Sequence, residues 1–220
     1  MKTRNERLHG LYVITDQALS QQHKLSLVDM VDAAIRGGAR IVQYRNKTSP
    51  PAERQHEAQA LANLCHSQDV LFLINDDVPL ALAVNADGVH LGQRDADISQ
   101  ARTLLGEHRI IGITCHDQLP LALAAQAAGA NYVAFGRFFP SLTKPEAPPA
   151  SLSILQQARA QLRIPIAAIG GITPDNAPSL LAHGADMLAV IHGVFGAGDI
   201  AAAAGEYARL FTLQSGHAPG

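Results

Sequence analysis

Ala177-Pro178-Ser179-Leu180-Leu181-Ala182-His183-Gly184-Ala185-Asp186-Met187-Leu188-Ala189-Val190-Ile191-His192 decides the architecture. Small or apolar residues recur at 177, 180, 181 and 184, the spacing of one helix face. Gly184 then supplies a left-handed cap, and Met187–His192 is nearly all apolar. A strand without polar alternation has both faces covered, as in a parallel sheet dressed with helices. The stretch is therefore one αβ step of an α/β fold.

The same punctuation occurs at Gly38-Ala39-Arg40 and Gly129-Ala130-Asn131. Strand-like runs recur at Leu11–Asp16, Ile41–Arg45, Leu71–Asp76, Gly88–Gly92, Ile110–His116, Tyr132–Gly136, Pro165–Gly170 and Met187–His192. Helical stripes such as Ala58, Leu61, Ala62 and Cys65, or Ile200, Ala203, Tyr207 and Phe211, fill the intervals. Eight strand–helix pairs in 220 residues predict a single-domain (β/α)8 TIM barrel over 1–220, the barrel itself spanning about 11–211 between short extensions. No Pro/Ser linker or break in composition divides the chain, and the one unusual loop is Arg137–Ala150, rich in Pro.

With 47% hydrophobic and 16% charged residues and a formal net charge of −2, the chain has an ordinary globular composition and no basic run for nucleic acid or a membrane surface. No stretch approaches a membrane span, and the charged start leads into a strand rather than a signal core. Cys65 and Cys115 lie far apart in no metal or redox spacing, which predicts a reducing, cytoplasmic setting.

Active sites of such barrels lie at the C-terminal ends of the strands. Strand two ends in Gln43-Tyr44-Arg45-Asn46-Lys47, and two-residue spacing puts Arg45 and Lys47 on one side while the chain stays extended. They can face one anion, although alone the pair also reads as solvated loop charges. Strand three ends in Asn75-Asp76-Asp77 before Val78-Pro79. Asp77 suits a helix N-cap with Pro79 in the first turn, which leaves Asp76 without a local structural task. Strand four adds Asp95, so two carboxylates on neighbouring strand ends form a site for a hard cation bridging to a diphosphate.

Strand seven runs into Gly170-Gly171-Ile172-Thr173-Pro174, and strand eight into Ile191-His192-Gly193. In this fold the loops after strands seven and eight form the recurrent phosphate site, and Thr173-Pro174 reads as the cap and first turn of a helix. Strand five ends in Thr114-Cys115-His116. Adjacent strand residues point to opposite faces, so Cys115 and His116 make a poor nucleophile pair. Cys115 reads as packed and inert, Thr114 as a hydrogen-bond group.

Taken together, Leu-Tyr-Val-Ile-Thr-Asp at 11–16, Gln-Tyr-Arg-Asn-Lys at 43–47, Asn-Asp-Asp at 75–77, His-Leu-Gly-Gln-Arg-Asp at 90–95, Phe-Gly-Arg-Phe-Phe-Pro-Ser-Leu-Thr-Lys at 135–144 and Ile-Gly-Gly-Ile at 169–172 resemble the thiamine-phosphate synthase family. The resemblance implies a transferase with two small-molecule substrates, an aminopyrimidine diphosphate and a thiazole phosphate or its carboxylated form. Gln43, Tyr44, Arg45, Asn46, Lys47, Asn75, Thr114 and Lys144 would hold the first, and Asp76 and Asp95 would bind Mg²⁺. Ser141, Leu142 and Thr143 would contact the second, with its phosphate on backbone groups at Gly171, Ile191 and His192. Arg45, Lys47 and Lys144 would stabilise the departing pyrophosphate with Mg²⁺, and the thiazole nitrogen would attack the resulting pyrimidine cation.

Four positions depart from the family pattern: Thr114 for Ser, Ser141 for Thr, Asn46 for an acid and His192 for Ser. The first two keep a hydroxyl, whereas Asn46 loses a charge and His192 adds a titratable group. A thiazole tautomerase on the same barrel would need proton transfer but no diphosphate-bound metal, and a thiamine-phosphate sensor would need no turnover. The Asp76, Asp95, Arg45 and Lys47 set favours the synthase.

Overall fold

The structure is a computed structural model that describes residues 7–22, 24–95, 97–140 and 149–215. Eight parallel strands close in sequence order: β1 (Gly10–Ile14), β2 (Ala39–Tyr44), β3 (Leu71–Asn75), β4 (Gly88–Leu91), β5 (Ile110–His116), β6 (Tyr132–Phe135), β7 (Ile166–Ile169) and β8 (Met187–Val190). The helices are α1 (Gln17–Gln22), α2 (Leu27–Arg36), α3 (Pro51–Ser67), α4 (Val78–Ala83), α5 (Ile98–Leu105), α6 (Leu119–Ala127), α7 (Ser153–Gln161), α8 (Ala177–Ala182), α9 (His192–Phe195) and α10 (Ile200–Ser215). The expected (β/α)8 barrel is present, its strands mostly one or two residues shorter at the polar end than their apolar runs.

Strand alternation produces two apolar layers. Leu11, Val13, Val42, Tyr44, Phe72, Ile74, Val89 and Leu91 pack outward against the helices. Tyr12, Ile14, Ile41, Leu71, Leu73, Ile110, Tyr132, Ala134, Met187 and Ala189 fill the barrel. The interior is a packed core rather than a channel. Gly112 on β5 makes room for it, since a Cβ there would lie 2.0 Å from Cζ of Tyr132.

One device recurs at the N-terminal end of the barrel, where the residue leading into a strand braces a neighbouring strand. Asp87 Oδ2 accepts the Phe72 N–H at 2.8 Å, Asn131 Oδ1 the Ile111 N–H at 2.9 Å and Asp186 Oδ2 the Ile166 N–H at 2.8 Å. Two of these residues follow the Gly-Ala punctuation, whose Gly38, Gly129 and Gly184 have φ of 106°, 91° and 106°. That end of the barrel serves stability. The polar strand ends lie at the other.

Candidate active site

On β2, Ile41 and Gln43 face the interior while Val42 and Tyr44 face the helices. Tyr44 is 2% exposed and donates its hydroxyl to Glu57 Oε2 on α3 at 2.6 Å. Burial first, then the Glu57 carboxylate, raise its pKa. Asn46 is 7% exposed, with Nδ2 donating to Glu57 Oε2 and to Gln17 Oε1, each at 3.0 Å. Its Oδ1 accepts the N–H groups of Thr48 and Ser49 at 3.1 and 3.0 Å. Tyr44 and Asn46, expected among the pyrimidine diphosphate contacts, therefore turn toward α3 and brace the strand end from behind. The same period that separates Arg45 from Tyr44 could have shown this in the sequence.

The two cations of this strand end do not converge on one point. Arg45 Nη1 lies 3.8 Å from Asp16 Oδ2 beside the end of β1, and its N–H donates to Thr15 Oγ1 at 2.9 Å. Lys47 Nζ lies 2.8 Å from Asp76 Oδ2 beside the end of β3. They spread along the rim on either side of β2. A bridging diphosphate, with two charged groups, suits such a spread better than a single phosphate.

Asp76 and Asp95 come together as the strand order requires, close enough for each carboxyl to shift the pKa of the other. The Asp76 N–H donates to the His90 carbonyl at 2.9 Å, and the Gly92 N–H donates to Asp95 Oδ2 at 2.6 Å. Burial alone would raise the Asp76 carboxyl, but bonds with Lys47, Asp95 and Asn75 outweigh it and hold the pKa below the usual carboxylate value. Asp95 moves the other way, raised by burial and by Asp76. A hard divalent cation would relieve this crowding of two carboxylates. Among the described residues no cluster of three or more His, Cys, Asp or Glu could hold a metal, and a cation seated on these two carboxylates would need further oxygens from a ligand such as a diphosphate.

Asp77 is separate from this pair. Its Oδ1 caps α4 by accepting the Leu80 N–H at 2.9 Å, as expected, and its other oxygen lies 3.4 Å from Arg54 Nη1. Thr173 differs from expectation, because α8 begins later: Asn176 takes the cap position, and its side chain accepts the Thr173 N–H at 2.9 Å.

Beneath the mouth runs a buried polar chain whose middle the sequence reading left unassigned. Gln43 Nε2 donates to the Tyr12 hydroxyl, which lies 2.9 Å from that of Tyr132. The Tyr132 hydroxyl lies 2.7 Å from His90 Nδ1, and His90 Nε2 lies 2.8 Å from Thr114 Oγ1. Five residues on five strands thus cross the barrel. The available signal was His90 itself, a polar residue at an inward position of an otherwise apolar strand.

The β5–β6 pairing skips Cys115, passing from Thr114 opposite Ala134 to His116 opposite Phe135. Cys115 is fully buried, and burial pushes its thiol up to about 12, as it does that of Cys65, so neither is an available nucleophile. On the far side of the mouth, the Phe138 and Phe139 N–H groups donate to the carbonyls of Ile169 and Gly170 at 3.2 and 3.0 Å. Gly171 follows with a φ of 63°, and a Cβ there would meet the Pro140 carbonyl. His192, expected at the end of the eighth strand, instead opens α9 and is exposed, with Ile191 as its cap. Gly171 and Ile191–His192 still follow the ends of two adjacent strands, β7 and β8. Ser141, Leu142, Thr143 and Lys144 lie outside the described residues.

Comparison with known proteins agrees with this fold. A family model described as thiamine monophosphate synthase matches residues 11–194. Thiamine-phosphate synthase of Alcanivorax borkumensis is 53% identical over 93% of this chain and 95% of its own length, and that of Thioalkalivibrio sulfidiphilus is 50% identical over 97% and 100%. A solved thiamine phosphate pyrophosphorylase from Pyrococcus furiosus superposes with a TM-score of 0.86 at 37% identity, covering 96% of this chain and 98% of its own. With the family model spanning most of the barrel and half the residues shared with full-length relatives, the chain belongs to the thiamine monophosphate synthase family, transferases of thiamine biosynthesis.

Proposed function

We propose that the family's thiamine-phosphate synthase reaction is carried out here at the mouth between β1 and β5, with the thiazole phosphate entering from the β7–β8 side. The observation that supports the residue assignment is the Lys47–Asp76 ion pair at 2.8 Å beside Asp95, whose carboxyl pKa is shifted by that of Asp76. Arg45 and Lys47 hold the diphosphate, joined by Lys144 from the loop after β6. Asn75 and Thr114 offer polar groups beside it, and Gln43 lies below. Asp76 and Asp95 hold Mg²⁺, which neutralises charge on the leaving pyrophosphate when bound. The thiazole phosphate rests on backbone groups at Gly171, Ile191 and His192, with Ser141, Leu142 and Thr143 beside it.

Arg45, Lys47 and Lys144 favour departure because they stabilise charge that grows as the bond to pyrophosphate breaks. The aminopyrimidine can carry the cation left behind, and the thiazole nitrogen closes the new bond. The protein provides placement and electrostatics and needs no nucleophile, in keeping with its two buried thiols. Free buried cysteines also fit a reducing cytoplasm. The test is to incubate purified protein with each substrate, with both, and with and without Mg²⁺ while following pyrophosphate. Release that requires both substrates and Mg²⁺ is expected, whereas proton exchange on the thiazole phosphate alone would favour the tautomerase reading.

A further inference from the structure

The hydrogen-bond chain under the mouth has a direction, and its direction determines what each end can offer a ligand. An amide nitrogen can only donate, so the Tyr12 oxygen accepts from Gln43 Nε2. Tyr12 then has one proton to give, and Tyr132 lies 2.9 Å away. Both phenols are held protonated, since burial above all raises their pKa. If Tyr12 gives that proton to Tyr132 rather than leave it buried without an acceptor, Tyr132 gives its own to His90 Nδ1 at 2.7 Å. With Nδ1 accepting, the imidazole carries its hydrogen on Nε2 and donates it to Thr114 Oγ1 at 2.8 Å. The threonine hydroxyl must then point its own hydrogen elsewhere, while Gln43 keeps its carbonyl oxygen as an acceptor.

We propose that Tyr12, Tyr132 and His90 form a polarity relay across the barrel that fixes Gln43 as an acceptor and Thr114 as a donor toward one ligand. The ligand half of this rests on the synthase reading. An aminopyrimidine diphosphate carries N–H donors at its ring and acceptor oxygens at its phosphates, which matches an acceptor at the β2 end and a donor at the β5 end. Reversing the chain would flip the amide, both hydroxyls and the tautomer together. Thr114 would then offer a lone pair toward an anion and Gln43 an N–H toward an amino group, wrong at both ends. Tyr12, Tyr132 and His90 are positioning residues that act through Gln43 and Thr114. Each link is polarised by the one before it, so the chain acts as a unit.

The first measurement is the ¹⁵N spectrum of the ligand-free protein labelled at histidine, with the His90 signal assigned by its loss in His90→Asn. Hydrogen on Nε2 is expected, and hydrogen on Nδ1 or on both nitrogens would overturn the relay. The second compares Tyr12→Phe, Tyr132→Phe and the double variant. Each single change should raise the KM for the pyrimidine diphosphate about tenfold and leave the thiazole phosphate KM unmoved, with the double variant little worse than the poorer single one. Additive effects would mean independent contacts and sink the proposal. If a variant does not fold, the spectrum of the parent protein still decides. The spectrum needs no turnover, so a protein that shows the expected tautomer but releases no pyrophosphate would fail the synthase reading and leave the relay standing.

Discussion

Asn46→Asp restores the acid usual in the family and should damage this particular chain. Both Asn46 Nδ2 bonds, to Glu57 Oε2 and Gln17 Oε1, are 3.0 Å long, and an aspartate has no N–H to replace either. It would instead set a second carboxylate against Glu57. Like unit charges at 4 Å repel by about 4 kcal/mol at an effective dielectric constant of 20, and the two lost bonds cost about 2 kcal/mol more. Arg54 acts on the same network and relieves part of this. A net loss of about 3 kcal/mol at pH 8 is expected by urea unfolding. The new carboxyl would have a folded-state pKa above its unfolded value of about 3.9. Its penalty is therefore small below that value and grows as pH rises through the folded pKa. The deficit should narrow on acidification, and the KM for the pyrimidine diphosphate should rise, because Asn46 lies between Arg45 and Lys47. A variant as stable as its parent at pH 8, or a deficit unchanged between pH 8 and pH 4, would refute the brace.

Asp76→Asn and Asp95→Asn should each weaken the Mg²⁺ dependence and cut turnover by orders of magnitude, with the double variant little worse than the poorer single one, while Asp77→Asn retains most activity because Asn also caps a helix. Measuring kcat against Mg²⁺ for all four would show a wrong choice of acid if Asp77→Asn proved the damaging one. Gly112→Ala forces a methyl to within 2.0 Å of the Tyr132 ring and should cost about 3 kcal/mol, read as a fall in the urea midpoint. An unchanged midpoint would mean that Tyr132 has room to move. Asp186→Ala removes the acceptor of the Ile166 N–H at the far end of the barrel and should cost about 2 kcal/mol while leaving kcat/KM unaltered. A loss of activity at equal folded fraction would couple the two ends of the barrel.

The barrel was legible because its signals are local and repeated. Gly184 announces a cap by itself, and Met187–Val190 shows double burial without knowledge of its neighbours. The acid pair was legible for a related reason: once β3 and β4 are adjacent, residues just beyond their ends must meet. What escaped depends on side chains that meet across several strands or across layers. Tyr12 and Tyr132 are separated by 120 positions and read singly as core aromatics. Asn46 looks like a rim residue until Glu57 and Gln17 are seen to occupy its amide. The end of β8 failed differently, since Ile191 is apolar enough to prolong a strand and only the backbone turn into α9 stops it.

The residues proposed to surround the diphosphate are thus held from two sides. Below, the chain from Gln43 to Thr114 crosses the barrel. Behind, Glu57 accepts from both Tyr44 and Asn46, the residues that alternate with Arg45 and Lys47. Charged groups at a leaving-group site help only if they are already oriented when charge develops, and long flexible Arg and Lys side chains cannot be oriented by their strand alone. A rigid backbone beneath them restricts where their heads can reach, and Asp16 and Asp76 restrict it further. Substitutions on α3 that touch no ligand should therefore appear as changes in diphosphate binding. Glu57→Gln, whose single carbonyl oxygen can still accept from both Tyr44 and Asn46 but which loses the charge that strengthens both bonds, should show this first as a raised KM for the pyrimidine diphosphate.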